Sequence, residues 1–581
     1  MRRKSLVSLL LATAVVLCAS HSATAQDGDA LLRGHLAAGE FGLARGIAEA
    51  STDIAIRDRR LGQIAAAQAA SGVRRDSIQT ASYIQDDRIR SGVLQRIAAQ
   101  GPPSAVGRGG GTMADFDSLI DLITTTISPD SWDDVGGPGS IDGFEGGVYV
   151  DADGVMRRML LEGDRRGLTR IRREALAMGG NRNVRKASPL RKISLNRLEK
   201  EVQLLDVAGH GPDDAMRNLA GITKIEYVFV YPETGDIVIA GPAEPWSESV
   251  EGRAVGAESG RPTVQLDDLV VLLRNAYADH GRFGCSITPR KENLAATKAY
   301  LAESSKKPLK PGGRTAWLKG LRDALGKQDI EVYGVDPATR VGRVLVEADY
   351  RMKLVGMGLE DGVLGVTSYL DMVKPDKDGA IPPMDVLRWW FTLNYHAIET
   401  NAGHDAFQLK GPGVQVKSEN ELLTDLGERV HTGAADEINR EFAHSFTSHI
   451  KELSAKYPIY ADLNNVFDLA IVSAVIRAED LPGQVGWHMT YFGASHGDSA
   501  DGESLVYKVE HGAAPREVET IVNHRVLGRT QIIAGVSGGV RVDTQQLVAP
   551  DAIQTTDDAR RAAEYAQSKP QHLPHHAWWW D

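Results

Sequence analysis

The chain has 581 residues but only two cysteines, Cys18 and Cys285. Cys18 lies in an N-terminal segment that we expect to be removed, and one remaining thiol cannot form an internal disulfide bond. A chain of this length buries enough apolar surface to be stable without disulfides, and its length alone predicts roughly three or four domains. We therefore expect a multidomain fold that is held by side-chain packing and hydrogen bonds.

The first 25 residues have the composition of a cleaved secretory signal peptide. Residues 2–4 are cationic, residues 6–17 are apolar, and Ala23-Thr24-Ala25 fits the small-residue pattern of a cleavage site. The apolar run is shorter than the ~20 residues that a membrane-spanning helix needs. We predict cleavage before Gln26 and an exported, periplasmic or extracellular protein without a transmembrane span; an uncleaved membrane anchor is the alternative.

The protein is acidic, with 77 Asp and Glu against 66 Lys and Arg and a net charge of −11. This balance argues against nucleic acid as a partner and favours a soluble, self-repelling body. One stretch has the opposite sign, because residues 157–200 contain 14 Lys and Arg but only four acidic residues. Such a run is either a solvated helix face or a patch that faces an anionic polymer, a lipid headgroup or the protein's own acidic surface.

Residues 26–101 are predicted to be helical, with an internal repeat. Gly39 and Gly72 lie 33 residues apart, as do Leu61 and Leu94. This period resembles that of tetratricopeptide-type helical hairpins. Such arrays usually need about three repeats to be stable, whereas this segment has room for two. We expect the short array to lean on the rest of the chain or on a partner, for which it would offer an adaptor surface.

Composition divides the remainder of the chain into four parts. We assign residues 102–114 to a Gly/Pro linker, residues 115–146 to a small envelope-type module, residues 147–548 to a main region with two subdomains, and residues 549–581 to an exposed helix and an aromatic tail. In the main region, strand hairpins and helices alternate without a regular strand–helix–strand period. This pattern predicts an α+β architecture rather than a doubly wound sheet.

Three elements of the main region are predicted in more detail. Residues 330–335 and 341–347 flank a proline-containing turn and are expected to form a hairpin. Residues 384–399, which include Trp389-Trp390-Phe391, are predicted to form an amphipathic helix with its aromatic rings in the core or in a stacking groove. Residues 465–476 are apolar almost all round, which is typical of a buried core helix.

Four stretches of the main region carry a family resemblance: residues 190–199 (LRKISLNRLE), 335–340 (VDPATR), 348–353 (ADYRMK) and 535–540 (GVSGGV). Together they resemble a family of exported planctomycete proteins that is known only as a domain of unknown function, over roughly residues 147–548. Residues 131–140 (SWDDVGGPGS) resemble a small module that recurs in other envelope proteins of such bacteria, some of them secretin-like. The resemblance implies export and an envelope location. It implies no catalytic residue and no ligand, because none is known for the family.

No catalytic residue is predicted from the motifs. Gly535-Val536-Ser537-Gly538-Gly539 fits the Gly-x-Ser-x-Gly pattern of a hydrolase nucleophile, which needs a strand-to-helix turn. Because a strand-like sequence follows the serine, we interpret the motif as a Ser-Gly-Gly hairpin turn. Cys285 is expected to be a small buried side chain rather than a nucleophile.

No metal or cofactor site is predicted either. His396 with Glu399 and Glu441 with His444 have a spacing of three residues that can chelate an ion on a helix. About four such pairs are expected by chance from the composition, so their presence carries little information. The chain has no His-Glu-x-x-His string, no phosphate loop of the Walker type and no complete dinucleotide fingerprint.

The C-terminal tail contains our candidate binding residues, Trp578, Trp579 and Trp580. Three adjacent indoles expose apolar area at a free-energy cost unless something covers them, so the tail either folds into a groove of the body or docks on a partner. We predict a binding or scaffolding protein of the cell envelope, with a protein or an envelope polymer as its partner. The alternatives are polysaccharide recognition through Trp389, Trp390 or the tail, and an envelope hydrolase whose site assembles only in three dimensions.

Overall fold

The structure is a computed structural model that describes residues 28–99, 140–144, 147–151, 182–304, 306, 312–374, 386–423, 429–493, 505–527, 530–549, 551–555 and 576–581. Its contacts divide the chain into two units, one with residues 1–100, 187–246 and 255–581 and the other with residues 101–186 and 247–254. The first unit mixes helices and strands after an all-helical segment at residues 28–99. The predicted α+β class and the helical N-terminal segment are therefore confirmed.

Several predicted segments lie outside the described residues. They are the signal peptide at residues 1–25, the linker at 102–114, most of the module at 115–146 and residues 556–575 of the C-terminal segment. Residues 553–555, shortly after Pro550, form a strand where the start of an exposed helix was predicted. The end of the aromatic tail, residues 576–581, is described.

The described elements follow one another in a mixed order. After a helical stretch at residues 28–37, the α-helices are α1 Phe41–Glu49, α2 Ile54–Ala70, α3 Arg74–Ser82, α4 Asp87–Ala99, α5 Leu195–Val207, α6 Asp214–Arg217, α7 Leu266–Ala278, α8 Lys291–Ser304, α9 Arg314–Leu325, α10 Arg340–Gly356, α11 Tyr369–Met372, α12 Glu437–Ser448, α13 Ile450–Lys456, α14 Ile459–Ala478 and α15 Leu481–Val485. The strands are β1 Ser140–Phe144, β2 Gly147–Asp151, β3 Ser188–Ser194, β4 Tyr227–Tyr231, β5 Asp236–Ala243, β6 Trp246–Glu248, β7 Ala254–Gly256, β8 Arg282–Pro289, β9 Lys327–Tyr333, β10 Val386–Asn394, β11 Ala397–Thr400, β12 Ala406–Lys410, β13 Gly413–Leu423, β14 Arg429–His431, β15 Glu517–Glu519, β16 Val522–Leu527, β17 Thr530–Asp543, β18 Ile553–Thr555 and β19 Trp579–Trp580.

Helices α1 to α4 pack against one another around their own apolar core. Asp53 caps α2, because its carboxylate accepts the backbone N–H groups of Ala55 and Ile56 at 2.8 and 3.1 Å. Leu61 and Leu94, which occupy equivalent positions of the 33-residue repeat, are both buried in this core. The repeat positions of the sequence are thus the contact positions of the helices.

This helical array packs against other elements of the first unit. Leu204 and Val207 of α5 complete its core. The Arg74 side chain donates a hydrogen bond to the Val207 carbonyl at 2.8 Å, and Asp87 accepts the backbone N–H of His488 at 2.7 Å. Two repeats alone would bury too little apolar surface to be stable. Contacts with α5 and with the segment around His488 therefore stabilise the array within its own chain.

The second unit contains the hairpin of β1 and β2. The two strands pair antiparallel, with Ser140 opposite Asp151 and Phe144 opposite Gly147. Strand β1 is the described part of the module predicted at residues 115–146.

The smaller sheet of the first unit has seven strands in the order β18–β11–β12–β4–β5–β3–β19. Strand β3 ends at Ser194, whose hydroxyl accepts the backbone N–H of Arg197 and so caps the following helix α5. The two-residue strand β19 forms one edge of the sheet and consists of Trp579 and Trp580.

The larger sheet has the order β14–β13–β10–β17–β8–β9–β15, with β16 paired to β17. Strands β10 and β17 run parallel, and the other pairs are antiparallel. Helices α10, α12 and α14 pack against one face of this sheet. Trp389 and Phe391 of β10 meet Phe442 and Phe446 of α12 there, with ring centroids 4.1 and 6.0 Å apart. This face is the main core of the unit.

Residues 386–394 form strand β10, so the helix predicted at residues 384–399 is wrong. Leu387, Trp389 and Phe391 are fully buried and alternate with side chains on the opposite face, which is the period of a strand. Trp390 is apolar but lies on that opposite face. It concealed the alternation and made the stretch resemble an apolar helix face.

Residues 340–356 form α10, so the hairpin predicted across residues 330–347 is also wrong. Thr339 ends the turn and caps the helix, since its hydroxyl accepts the backbone N–H of Gly342 at 3.3 Å. A Thr cap followed by apolar residues three and four apart is the signal of a helix start that the strand interpretation missed.

Ser537, Gly538 and Gly539 lie inside the continuous strand β17 rather than in a hairpin turn. A Cβ atom on Gly538 would lie 1.6 Å from the carbonyl oxygen of Trp389, and one on Gly539 would lie 1.9 Å from that of Cys285. The glycines are therefore explained by the close approach of β17 to both neighbouring strands.

The buried core helix predicted at residues 465–476 is confirmed as part of α14. Every residue from 459 to 476 except Asn464 is buried. Among the described residues, α14 is the one helix that is long and apolar enough to cross a membrane by length and composition, and 94% of its apolar window is buried inside the protein.

Asp468 of α14 is expected to make stability depend on pH. Its carboxylate accepts hydrogen bonds from the Tyr395 hydroxyl and, at 3.4 Å, from the Ile225 N–H, and burial raises its pKa to about 6. The native state then binds a proton more tightly than the unfolded chain, whose aspartates have a pKa near ~3.9. Stability contributed by this group therefore rises as the pH falls from 7 to 4, by about 2–3 kcal/mol.

The measurement is urea unfolding of the wild type and Asp468→Asn between pH 4 and 8. The asparagine cannot titrate, so the wild type should gain stability relative to the variant as the solution becomes more acidic. A constant difference between the two proteins across this range would contradict the assignment.

Candidate functional site

The face of the large sheet opposite α10, α12 and α14 carries polar side chains. Arg388 and Trp390 of β10 lie on this side, and the parallel register places Ser537 and Gly539 of β17 beside them. Ser286 of β8 follows next to Gly539. We call this side the open face of the sheet.

A pocket of about 450 Å³ lies on the open face. Two glycines of β17, Gly538 and Gly539, line it, and Gly539 lies between Trp390 and Ser286. The absence of a side chain at Gly539 leaves space between Trp390 and Ser286 in the pocket.

The pocket is rich in positive charge. Arg282, Arg388 and Arg541 line it, and its lining includes a single carboxylate, that of Asp543. The Arg388 guanidinium is held by Glu419, with 3.1 Å between Nη1 and Oε2. Arg282 and Arg541 are exposed and form no ion pair with another described residue. Two guanidinium groups therefore remain available to a ligand, beside a third that is held in place.

An acid–imidazole cluster adjoins the pocket on the same face. Glu419 and Glu421 of β13 are buried, whereas the side chain of His431 of β14 is 61% exposed. His431 Nδ1 lies 2.9 Å from Glu421 Oε1 and 3.3 Å from Glu419 Oε2. Although burial opposes it, hydrogen bonds from the Gly433 N–H and Arg388 lower the pKa of Glu419. The ligand atoms of the three residues all lie within 4.8 Å of one another.

A buried ion pair supports the pocket floor from the core side. Asp349 and Lys353 of α10 are both fully buried, with 2.6 Å between Oδ2 and Nζ. Burial raises the pKa of Asp349, and Lys353 and a hydrogen bond from the Gly539 N–H oppose this rise. The pair thus links helix α10 to the strand that forms the floor.

The tail residues that the sequence singled out lie at the edge of the other sheet. Trp579 pairs with Ile193 and Trp580 with Lys192 of β3, and Trp578 and Trp580 are both buried. The structure thus folds the end of the tail, residues 576–581, onto the body of the protein, which was one of the two alternatives. Burial of the tail does not test whether Trp578, Trp579 and Trp580 bind a partner, so partner binding stays a prediction.

The described part of the basic stretch faces the protein's own acidic groups. Arg191 is fully buried and forms two hydrogen bonds with Asp581, at 2.8 and 2.9 Å. Arg197 pairs with the buried Asp236 at 2.7 Å. From residue 187 onward, Arg191 and Arg197 of this stretch therefore form ion pairs that hold the fold together, and they do not form a solvated helix face.

The remaining motif residues are not placed as exposed nucleophiles, although Cys285 lines the first pocket and Ser537 lies beside Glu421. Ser537 is fully buried, and Cys285 is buried with burial raising the pKa of its thiol, as expected for a small core side chain. His396 is exposed and precedes strand β11, and His444 is exposed on α12. Sequence reasoning missed the acid–imidazole cluster, although two glutamates two residues apart in a strand always share a face.

A second pocket of about 600 Å³ lies beside α7 and the turn before α10. Tyr507, Lys508, Asp336 and His511 are among its lining residues, and His511 Nε2 lies 3.4 Å from Asp336 Oδ2. Its charges are mixed, since Arg274 and Asp279 also line it, and the rest of the lining includes both polar and apolar side chains.

A family model matches part of this chain. It describes a protein of unknown function (DUF1598) and covers residues 285–369. The matched segment runs from β8 through α10 into α11, so it includes Ser286 and Tyr333 of the first pocket and the buried Asp349–Lys353 pair. The match agrees with the resemblance to a domain of unknown function but is shorter than the expected range of 147–548. No curated protein and no solved structure matches the chain.

Proposed function

We propose that this is an exported cell-envelope protein that acts by binding, and that the pocket on the open face binds an acidic sugar polymer through its carboxylate or phosphate groups. The observation that carries the proposal is the set of three guanidinium groups, Arg282, Arg388 and Arg541, around a glycine-floored pocket on a protein of net charge −11. Carboxylates and phosphates are the groups that arginine binds with paired hydrogen bonds.

The dimensions and aromatic groups of the pocket support a small repeating unit as the ligand. Its volume of about 450 Å³ falls within the usual range of ligand pockets, roughly 300–1,000 Å³. The Arg388 guanidinium lies over the Trp390 ring, 4.7 Å from its centroid, and Tyr333 is 40% exposed. A cation already stacked on an aromatic ring loses little conformational freedom when a ligand binds.

The assignment to the envelope rests on the N-terminal segment, in which cationic, apolar and small-residue parts follow one another as in signal peptides. Contact with a protein partner is proposed for the helical array and for the tail, where Trp579 is less buried than Trp578 and Trp580. The hydrolase alternative has less support, because Ser537 is fully buried and the lining of the first pocket contains no histidine.

Replacing Arg282 and Arg541 together by glutamine is expected to weaken the binding of tetraglucuronate at least tenfold. A hydrogen bond to a charged group contributes about 1.5–3 kcal/mol, and about 1.4 kcal/mol corresponds to a factor of ten in affinity. The dissociation constant is measured by titration calorimetry at low salt with a chelator present. Inorganic phosphate in a second titration separates a phosphate preference from a carboxylate preference.

Arg440→Gln is the matched control, since Arg440 is exposed on α12, which packs against the opposite face of the sheet. This variant should bind as the wild type does, and a neutral tetrasaccharide should bind more weakly than tetraglucuronate. Unchanged affinity in the double arginine variant, or equal affinity for the neutral sugar, would contradict the proposal.

A further inference from the structure

Glu419, Glu421 and His431 form a cluster that the anion-binding proposal does not use. Glu419 and Glu421 lie two residues apart on β13, and His431 is the register partner of Glu421 on β14. All three therefore lie on the open face, at the edge of the sheet beside Arg388. The two carboxylates lie side by side with little exposure to water, an arrangement that is unfavourable unless positive charge lies between them.

The three donor atoms lie close together, all within 4.8 Å of one another. His431 Nδ1 lies 2.9 Å from Glu421 Oε1 and 3.3 Å from Glu419 Oε2. Ligands that each lie about 2.0–2.1 Å from a tetrahedral zinc ion are separated from one another by roughly 3.3 Å. The cluster therefore needs only small side-chain adjustments to hold a zinc ion through one nitrogen and two oxygens.

Hydrogen bonds from the surrounding protein hold both carboxylates, and the one from Arg388 reaches the same Glu419 oxygen that faces His431. Glu419 Oε1 accepts the Gly433 N–H at 2.7 Å, and Arg388 donates to Glu419 Oε2 at 3.1 Å. The hydroxyl of the buried Ser537 lies 3.4 Å from Glu421 Oε2. Hydrogen bonds that orient ligating carboxylates in this way are a regular feature of metal sites.

We propose that Glu419, Glu421 and His431 bind a divalent cation of the zinc type. Three protein ligands of a tetrahedral ion leave one coordination position free, as in zinc sites that bind an exchangeable ligand. The side chain of His431 is 61% exposed, so solvent reaches the cluster at the imidazole. Zinc fits a mixed set of imidazole and carboxylate donors better than Ca²⁺ or Mg²⁺, which prefer oxygen ligands alone.

The test is titration calorimetry of Zn²⁺ into the chelator-treated, dialysed protein at pH 7.5, without any sugar. The wild type should bind one equivalent of zinc, and His431→Ala and Glu421→Gln should each weaken binding at least tenfold. Binding should also weaken at pH 5.5, because protons compete with the metal for the imidazole and the carboxylates. His444→Ala is the matched control, since His444 is an exposed histidine on α12.

A second readout separates loss of the site from loss of the fold. His431 is largely exposed, so its replacement should leave the melting temperature of the metal-free protein unchanged. Zinc should raise the melting temperature of the wild type and of His444→Ala but not that of His431→Ala. Absence of saturable zinc binding to the wild type, or equal zinc affinity in His431→Ala, would overturn the proposal and leave the cluster as a set of contacts between His431 and the two glutamates. Because no sugar is present, either outcome is independent of the anion-binding proposal.

Discussion

Removal of residues 578–581 is expected to destabilise the protein by about 4 kcal/mol or more. Trp580 packs in a core cluster with Leu190, Tyr227 and Phe229, and loss of a buried tryptophan typically costs about 3–5 kcal/mol. The truncation also removes Asp581, which leaves the fully buried Arg191 without this carboxylate partner.

The measurement is urea unfolding of the mature protein and of the shortened form. Trp579→Ala is the matched control, because Trp579 stacks against the Arg191 guanidinium at 4.6 Å but is less buried than its neighbours. We expect this substitution to have a much smaller effect than the truncation. If the shortened protein is as stable as the full chain, the tail does not belong to the core, and its three tryptophans are free to dock on a partner.

Lys353→Met is expected to destabilise the protein by about 3–5 kcal/mol at pH 7. The substitution leaves the Asp349 carboxylate fully buried without its ammonium partner, and such losses are large because the remaining charge stays desolvated. Because burial already raises the pKa of Asp349, the variant should regain stability as the pH falls and the carboxyl becomes neutral.

The double variant Asp349→Leu/Lys353→Met is the control for this effect. It removes both charges, and buried ion pairs are often replaced by apolar residues with little loss of stability. We expect it to be more stable than Lys353→Met alone when both are measured by guanidinium unfolding. A loss below about 1 kcal/mol in the single variant would mean that water reaches Asp349 and that the pair does not anchor the pocket floor.

The sequence was sufficient to predict elements whose pattern is local. Residues 465–476 read as a buried helix because apolar side chains cover every side, and the 33-residue spacing of Leu61 and Leu94 marked helix contacts. Strand β10 was misread because Trp390, on the open face, is as apolar as Trp389 in the core. Local pattern therefore fails where the face of a strand opposite the core also carries an aromatic side chain.

The pocket could not be predicted, because it depends on strand pairing over long distances. Trp390 meets Gly539 only through the parallel pairing of β10 with β17, whose paired residues lie about 150 positions apart. Glu419 and Glu421 shared a face by their spacing alone, but His431 joins them only through the register of the β13–β14 hairpin. A sequence pattern predicts which side chains share one face of a single strand. Both candidate sites instead depend on which strands pair with one another and in which register.

The most direct test of the proposed binding surface is a crystal structure of the protein with tetraglucuronate bound at saturation. We expect the sugar in the glycine-floored pocket, with a carboxylate within hydrogen-bonding distance of Arg541 or Arg282 and a sugar ring against Trp390. Density for the sugar in the second pocket beside α7, or along the tryptophan tail, would contradict the assignment of the open face as the binding surface.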